Sequence, residues 1–118
     1  MELQKLYHAP QVTASPIAPD KIRHPDVAAL DLATIMRTVG DPVRLAIVRL
    51  VADGREHSCG DLQAALNIPA STGSNHLRQL REAGVTRTRA EGTARLISLR
   101  SEDLEARFPG LVAVLTSG

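Results

Sequence analysis

The side chains able to do chemistry in this chain gather between Ser71 and Arg100, and they are hydroxyls, amides and guanidinium groups. Ser71, Thr72, Ser74, Asn75, Arg78, Arg81, Arg87, Arg89 and Arg95 all fall there. Short polar side chains and charged forks of this kind meet base edges and phosphates in a DNA groove. Asn pairs with adenine, Arg with guanine, and Ser with several bases or a phosphate. On a helical wheel at 100° per residue from Ala70, one side takes Ser71, Ser74, Asn75, Arg78 and Glu82, with Arg81 at the margin. The other side takes Gly73, His76, Leu77, Leu80 and Ala83, which suits packing. Arg78 is the residue best placed to reach a base or a phosphate. His76 falls on the packing side and reads as a hydrogen-bonded structural histidine.

Charge follows the same division. From Ser71 to Arg100 six arginines stand against Glu82 and Glu91, a local balance of +4, although the whole chain carries only +1. Residues 26–70 and 101–118 each balance at −2. Positive charge therefore collects on the segment that would face DNA. No cluster of carboxylates, nucleophile with its base, or phosphate loop is present, so neither an enzyme nor a cofactor is expected. No apolar run approaches the roughly 18 residues that span a bilayer. The N-terminus carries no basic-then-apolar signal pattern. The single cysteine, Cys59, cannot form an internal disulfide. These features predict a cytoplasmic location with no membrane partner.

Elements must hold the polar face in place. The 118 residues suit one domain, and Leu, Val, Ile and Ala must build its core because Tyr7 and Phe108 are the only aromatics. Four prolines in residues 1–25 predict an extended or disordered N-terminal arm, with residues 26–118 forming the folded domain. Asp26 is expected to cap a first helix to about Thr38 that buries Val27, Leu30, Ala33 and Met36. Asp41-Pro42 starts a second helix to Ala52, closed by Asp53-Gly54. Ser58-Cys59-Gly60-Asp61 matches a capping box for a third helix to Leu66. Asn67-Ile68-Pro69 then turns the chain into the polar-faced helix, which stops at Gly84. Val85–Ala90 and Thr93–Leu99 read as a hairpin turning at Glu91-Gly92. Ser101–Arg107 and the apolar Leu111–Leu115 follow, separated by Pro109-Gly110. The order predicts a mainly α fold with a small β-hairpin, a winged helix-turn-helix.

The residues that carry this order also resemble the ArsR/SmtB family of bacterial winged-helix repressors, from about Leu30 to Leu99. VGDPVRLAIVRLVADG is similar to the family's second-helix signature, Asp-Pro-x-Arg-Leu and an apolar run. DLQAALNIPASTGSNHLRQLREAGV is similar to its helix-turn-helix, and TRTRAEGTARLISL to its wing. The resemblance implies a homodimeric repressor on double-stranded DNA, bound at a pseudo-palindromic operator. The first helix and the C-terminal helix, with Leu111, Val112 and Leu115, are expected to form the dimer interface.

Two departures accompany the resemblance. One metal site known in the family is a Cys-x-Cys pair at the start of the first helix of the helix-turn-helix. Here Ser58 and Gly60 take those positions and Cys59 stands between them. A second site type uses Asp and His on the last helix, and residues 101–118 hold no histidine. No metal site is therefore expected, and no effector is named by these residues. The wing tip, Arg89-Ala90-Glu91-Gly92-Thr93, carries fewer arginines than the family's Arg-Arg-Glu-Gly-Arg. Ala94, Leu96 and Ile97 stand where aromatics are usual in the second wing strand. Two alternatives keep a place: a winged-helix module that binds protein, which the reduced wing suits, and a thiol or metal sensor built on Cys59 with His57 and His8 or His24. The position of Cys59 near a helix N-terminus favours a lowered thiol pKa.

Overall fold

Asp41 begins the best-defined start signal in the chain. Its carboxylate accepts hydrogen bonds from the backbone N–H of Val43 (2.8 Å) and Arg44 (3.1 Å), and Pro42 occupies the first turn, where its missing N–H costs nothing. The computed structural model describes residues 22–118. Residues 1–21 of the expected arm lie outside the described residues. The helices are α1 (Leu32–Val39), α2 (Pro42–Leu50), α3 (Cys59–Leu66), α4 (Ala70–Glu82), α5 (Ser101–Arg107) and α6 (Leu111–Thr116). Three antiparallel strands, β1 (His57–Ser58), β2 (Thr86–Glu91) and β3 (Ala94–Leu99), lie in the order β1-β3-β2. The architecture is a winged helix-turn-helix, mainly α with a small antiparallel sheet.

The core is aliphatic. Ile35 and Val39 of α1, Ile47 and Val48 of α2, Leu62 of α3, Leu77 and Leu80 of α4, Ile97 of β3, Leu104 of α5 and Leu115 of α6 are all buried together. Truncating such a residue to Ala typically costs about 2–5 kcal/mol. The Gln63 side chain of α3 lies over Gly73 of α4, where a Cβ would come within 2.5 Å of its Cγ. Arg44 ties three helices at one point. Its Nε donates to the Thr38 carbonyl at the end of α1 (2.6 Å), and its Nη1 donates to Nδ1 of His76 on α4 (3.3 Å).

Four expectations need correction. The first helix starts later than Asp26. Val27–Ala29 form a 3-10 turn, Leu30 is extended, and Asp31 caps α1 by accepting from the Thr34 N–H (3.0 Å), whereas Asp26 makes no side-chain cap. That frame buries Leu30, Ile35 and Val39 and leaves Ala33 and Met36 exposed. Space for Leu30 comes from Gly84, where any Cβ would collide with it and where φ is +85°. The second helix ends at Leu50, and a 3-10 turn carries Val51–Asp53 to Gly54. The hairpin turns at Gly92-Thr93, one residue later than expected, because Glu91 still pairs with Ala94. Finally, Leu115 is buried in the core of its own chain, with Leu111 and Val112 packed against it. Among the described residues the large apolar side chains left exposed are Leu32 and Met36 of α1, Leu50 of α2 and Val114 of α6.

Candidate nucleic-acid interface

The helix-turn-helix is held by local signals. Ser58 Oγ accepts from the Asp61 N–H at 3.0 Å and caps α3. Asn67 takes the left-handed conformation (φ 55°) that ends α3, a backbone state asparagine tolerates better than most residues. Pro69 precedes α4 and Gly84 follows it. Gly73, Leu77 and Leu80 are buried along one side of α4 and His76 is half-buried beside them.

The opposite side of α4 is a polar surface. Ser71, Thr72, Ser74, Asn75 and Arg78 are exposed. Arg78 Nη2 donates to Oδ1 of Asn75 at 2.6 Å, one helical turn back, so these two side chains form a joined unit on the free face. Arg81 is half-buried at the margin, and its Nε has no partner among the described residues.

Two of the three wing arginines are engaged elsewhere. Arg89 Nε and Nη2 donate to the two carboxylate oxygens of Glu56, each at 2.8 Å. Glu56 is held below the usual carboxylate range, first by that hydrogen bond and then by the guanidinium charge. Arg87 Nη2 donates to Asp103 at 3.1 Å, and the same oxygen accepts from Nε of the buried Arg100 at 2.9 Å. Arg95 is half-buried near the turn and bonds only weakly, to the Ala94 carbonyl at 3.4 Å.

The described residues just before Asp26 reach this region. Nε2 of His24 accepts from the Thr88 N–H on the outer edge of the sheet (2.9 Å), and Arg100 Nη1 donates to the Pro25 carbonyl (2.9 Å). Burial lowers the His24 pKa, and Arg100, Arg87 and Arg81 lower it further. Glu56, Asp103 and His24 carry no sequence signal for these roles. Glu56 finds its partner 33 positions away and His24 finds its own 64 away, so only the fold brings them together.

A family model described as a helix-turn-helix domain matches residues 39–89. The HTH-type transcriptional regulator YceK of Bacillus subtilis is 39% identical over 84 residues, covering 70% of this chain and 84% of that protein. A homodimeric winged helix-turn-helix DNA-binding domain from Mycobacterium bovis, described as a possible ArsR-family regulator, is 30% identical at a TM-score of 0.61. That match covers 84% of this chain and 89% of the other. The chain belongs to the ArsR-type winged helix-turn-helix transcriptional regulators. Another relative of this ArsR-type regulator is the biofilm growth-associated repressor of Agrobacterium fabrum, 39% identical over 80 residues, 68% of this chain and 67% of that protein.

In this ArsR-type chain the segment that can hold a thiolate pair is occupied differently. Ser58 is spent on the α3 cap, and Gly60 has no side chain. Cys59 is half-buried, and burial raises its pKa above the ordinary thiol value in spite of the nearby Arg95 charge. That corrects the expectation of a lowered pKa: desolvation outweighs the helix terminus here. His57 Nε2 instead contacts both carboxylate oxygens of Asp53 at 3.0 Å. Among the described residues no three His, Cys, Asp or Glu side chains converge in an arrangement able to hold a metal. No helix among them is long and apolar enough to cross a membrane.

Proposed function

We propose that this regulator is a cytoplasmic homodimeric repressor that lays α4 of each protomer into successive major grooves of a pseudo-palindromic operator. The observation that carries the reading is the free face of α4. Ser71, Thr72, Ser74, Asn75 and Arg78 stand exposed over a buried Gly73-Leu77-Leu80 side. Such a helix offers base-reading groups outward while its packing fixes their register. Arg78 carries the charged fork, and Asn75 holds it. Arg81, Arg87, Arg89 and Arg95 supply the positive field around that face, with Arg87 and Arg89 reaching phosphates once released from their own carboxylates.

The exposed Leu32 and Met36 (45% and 46% accessible) and Val114 (67%) support a dimer through the first and last helices. These side chains are the apolar surface that a second copy would cover. The relatives named as repressors support the direction of control. The residues at positions 58–60 support a regulator that does not use the family's paired-thiolate metal site.

The test is selection of duplexes from a random pool by the purified full chain. The expected product is an inverted repeat with half-sites about one helical turn, roughly 10 base pairs, apart. A pool that acquires no common sequence would overturn the reading.

A further inference from the structure

We propose that Glu56 acts as an internal stand-in for a DNA phosphate and restrains the grip of the wing. The inference rests on the DNA-binding reading above. Arg89 lies on β2 opposite Leu96 of β3, and Leu96 in turn lies opposite Ser58 of β1. The Arg89 side chain therefore passes over the middle strand to a carboxylate two residues before Ser58. There its Nε and Nη2 each meet a separate oxygen at 2.8 Å. This two-pronged arrangement is the one a guanidinium makes with a phosphate. Glu91 adds a further carboxylate oxygen 3.6 Å from the same Nη2.

The same edge of one guanidinium cannot serve Glu56 and a phosphate together. Arg89 and Glu56 are 49% and 41% exposed, so an arriving backbone can reach both. An exposed ion pair is weak enough to be exchanged. Exchange leaves the Glu56 carboxylate without its partner and close to the phosphate, where it repels. Both effects lower affinity and keep the protein releasable from its site. The other wing pair is less separable, because Asp103 also holds the buried Arg100. Glu56 is bound to Arg89 alone among the described residues and is therefore the clean position to change.

The experiment measures fluorescence anisotropy of a labelled duplex carrying the selected sequence, across a range of salt. Four full-length proteins are compared: wild type, Glu56→Gln, Arg89→Ala and the double variant. Glu56→Gln should tighten binding roughly two- to fivefold for each protomer engaged, the scale of one exposed ion pair per copy. It should also steepen the plot of log affinity against log salt by about two, one for the Arg89 of each protomer. In the Arg89→Ala background the same change should give a clearly smaller gain, because only the repulsion of the phosphate by Glu56 is then removed. An unchanged or weaker affinity of Glu56→Gln overturns the inference and makes Glu56 a strut for the wing. An equal gain in both backgrounds also overturns it, since Glu56 would then act through its general charge. Salt-independent behaviour of all four proteins, wild type included, removes the DNA-binding reading and this inference with it. Thermal unfolding midpoints of the four proteins show that each is folded.

Discussion

Arg78 and Cys59 differ in how far their surroundings can be read from the chain. For Arg78 the helical wheel suffices: the residue falls opposite Leu77 and Leu80, and it is exposed. Its hydrogen bond to Asn75 is equally local, three residues back along the helix. For Cys59 the sequence shows a helix start but not the burial that raises its pKa, because that burial comes from packing against the assembled core. The ion pairs of Arg87 and Arg89 are hidden for the same reason, since their carboxylates lie 16 and 33 positions away. At this scale Arg78→Ala should weaken operator binding by about 1–3 kcal/mol, the loss of one good base contact. Titration of the selected duplex by each protein measures it, and an unchanged affinity removes Arg78 from the reading face.

At the scale of elements, what is legible is what local chemistry dictates. Asp41-Pro42 and Ser58-x-x-Asp61 start α2 and α3 as their side chains require, and the 3.6-residue period gives the buried side of α4. The first helix is read wrongly because Asp26 and Asp31 are both competent caps. The choice falls to Leu30, which must turn inward over Gly84. Strand β1 is invisible because two residues have no period; it exists only by pairing with β3.

The arm also has a testable electrostatic consequence. His24 accepts a backbone hydrogen bond with Nε2 and so must be unprotonated there, and it faces Arg81 of α4, Arg87 of β2 and Arg100, with Asp103 of α5 paired to the last two. A histidine with a lowered folded-state pKa binds fewer protons folded than unfolded. Its contribution is thus complete above the unfolded value of 6.5 and falls as pH drops from there through the folded pKa. Urea unfolding at pH 7.5 and 5.5 should show a larger loss of stability for wild type than for His24→Gln, which keeps an acceptor but cannot titrate. Equal losses would show that the arm contact does not depend on the charge state of His24.

The described residues place their charges and apolar surfaces in a way that suits the proposed dimer on DNA. The arginine-rich segment from Ser71 to Arg100 forms α4 and the wing, while the acidic balance lies before and after it. The last helix is tied to its own domain, with Arg49 of α2 donating to the carbonyls of Leu115 and Ser117, both at 2.9 Å. What α1 and α6 leave outside, Leu32, Met36 and Val114, is then available to a second copy. This surface, as proposed, grips a phosphate backbone around a base-reading helix. The slope of log affinity against log salt for the wild-type protein on its selected duplex tests it most directly. Each phosphate contact contributes roughly 0.9 to that slope, and a dimer presents two copies of every arginine, so the expected slope is about −4 or steeper. A slope near zero would contradict it.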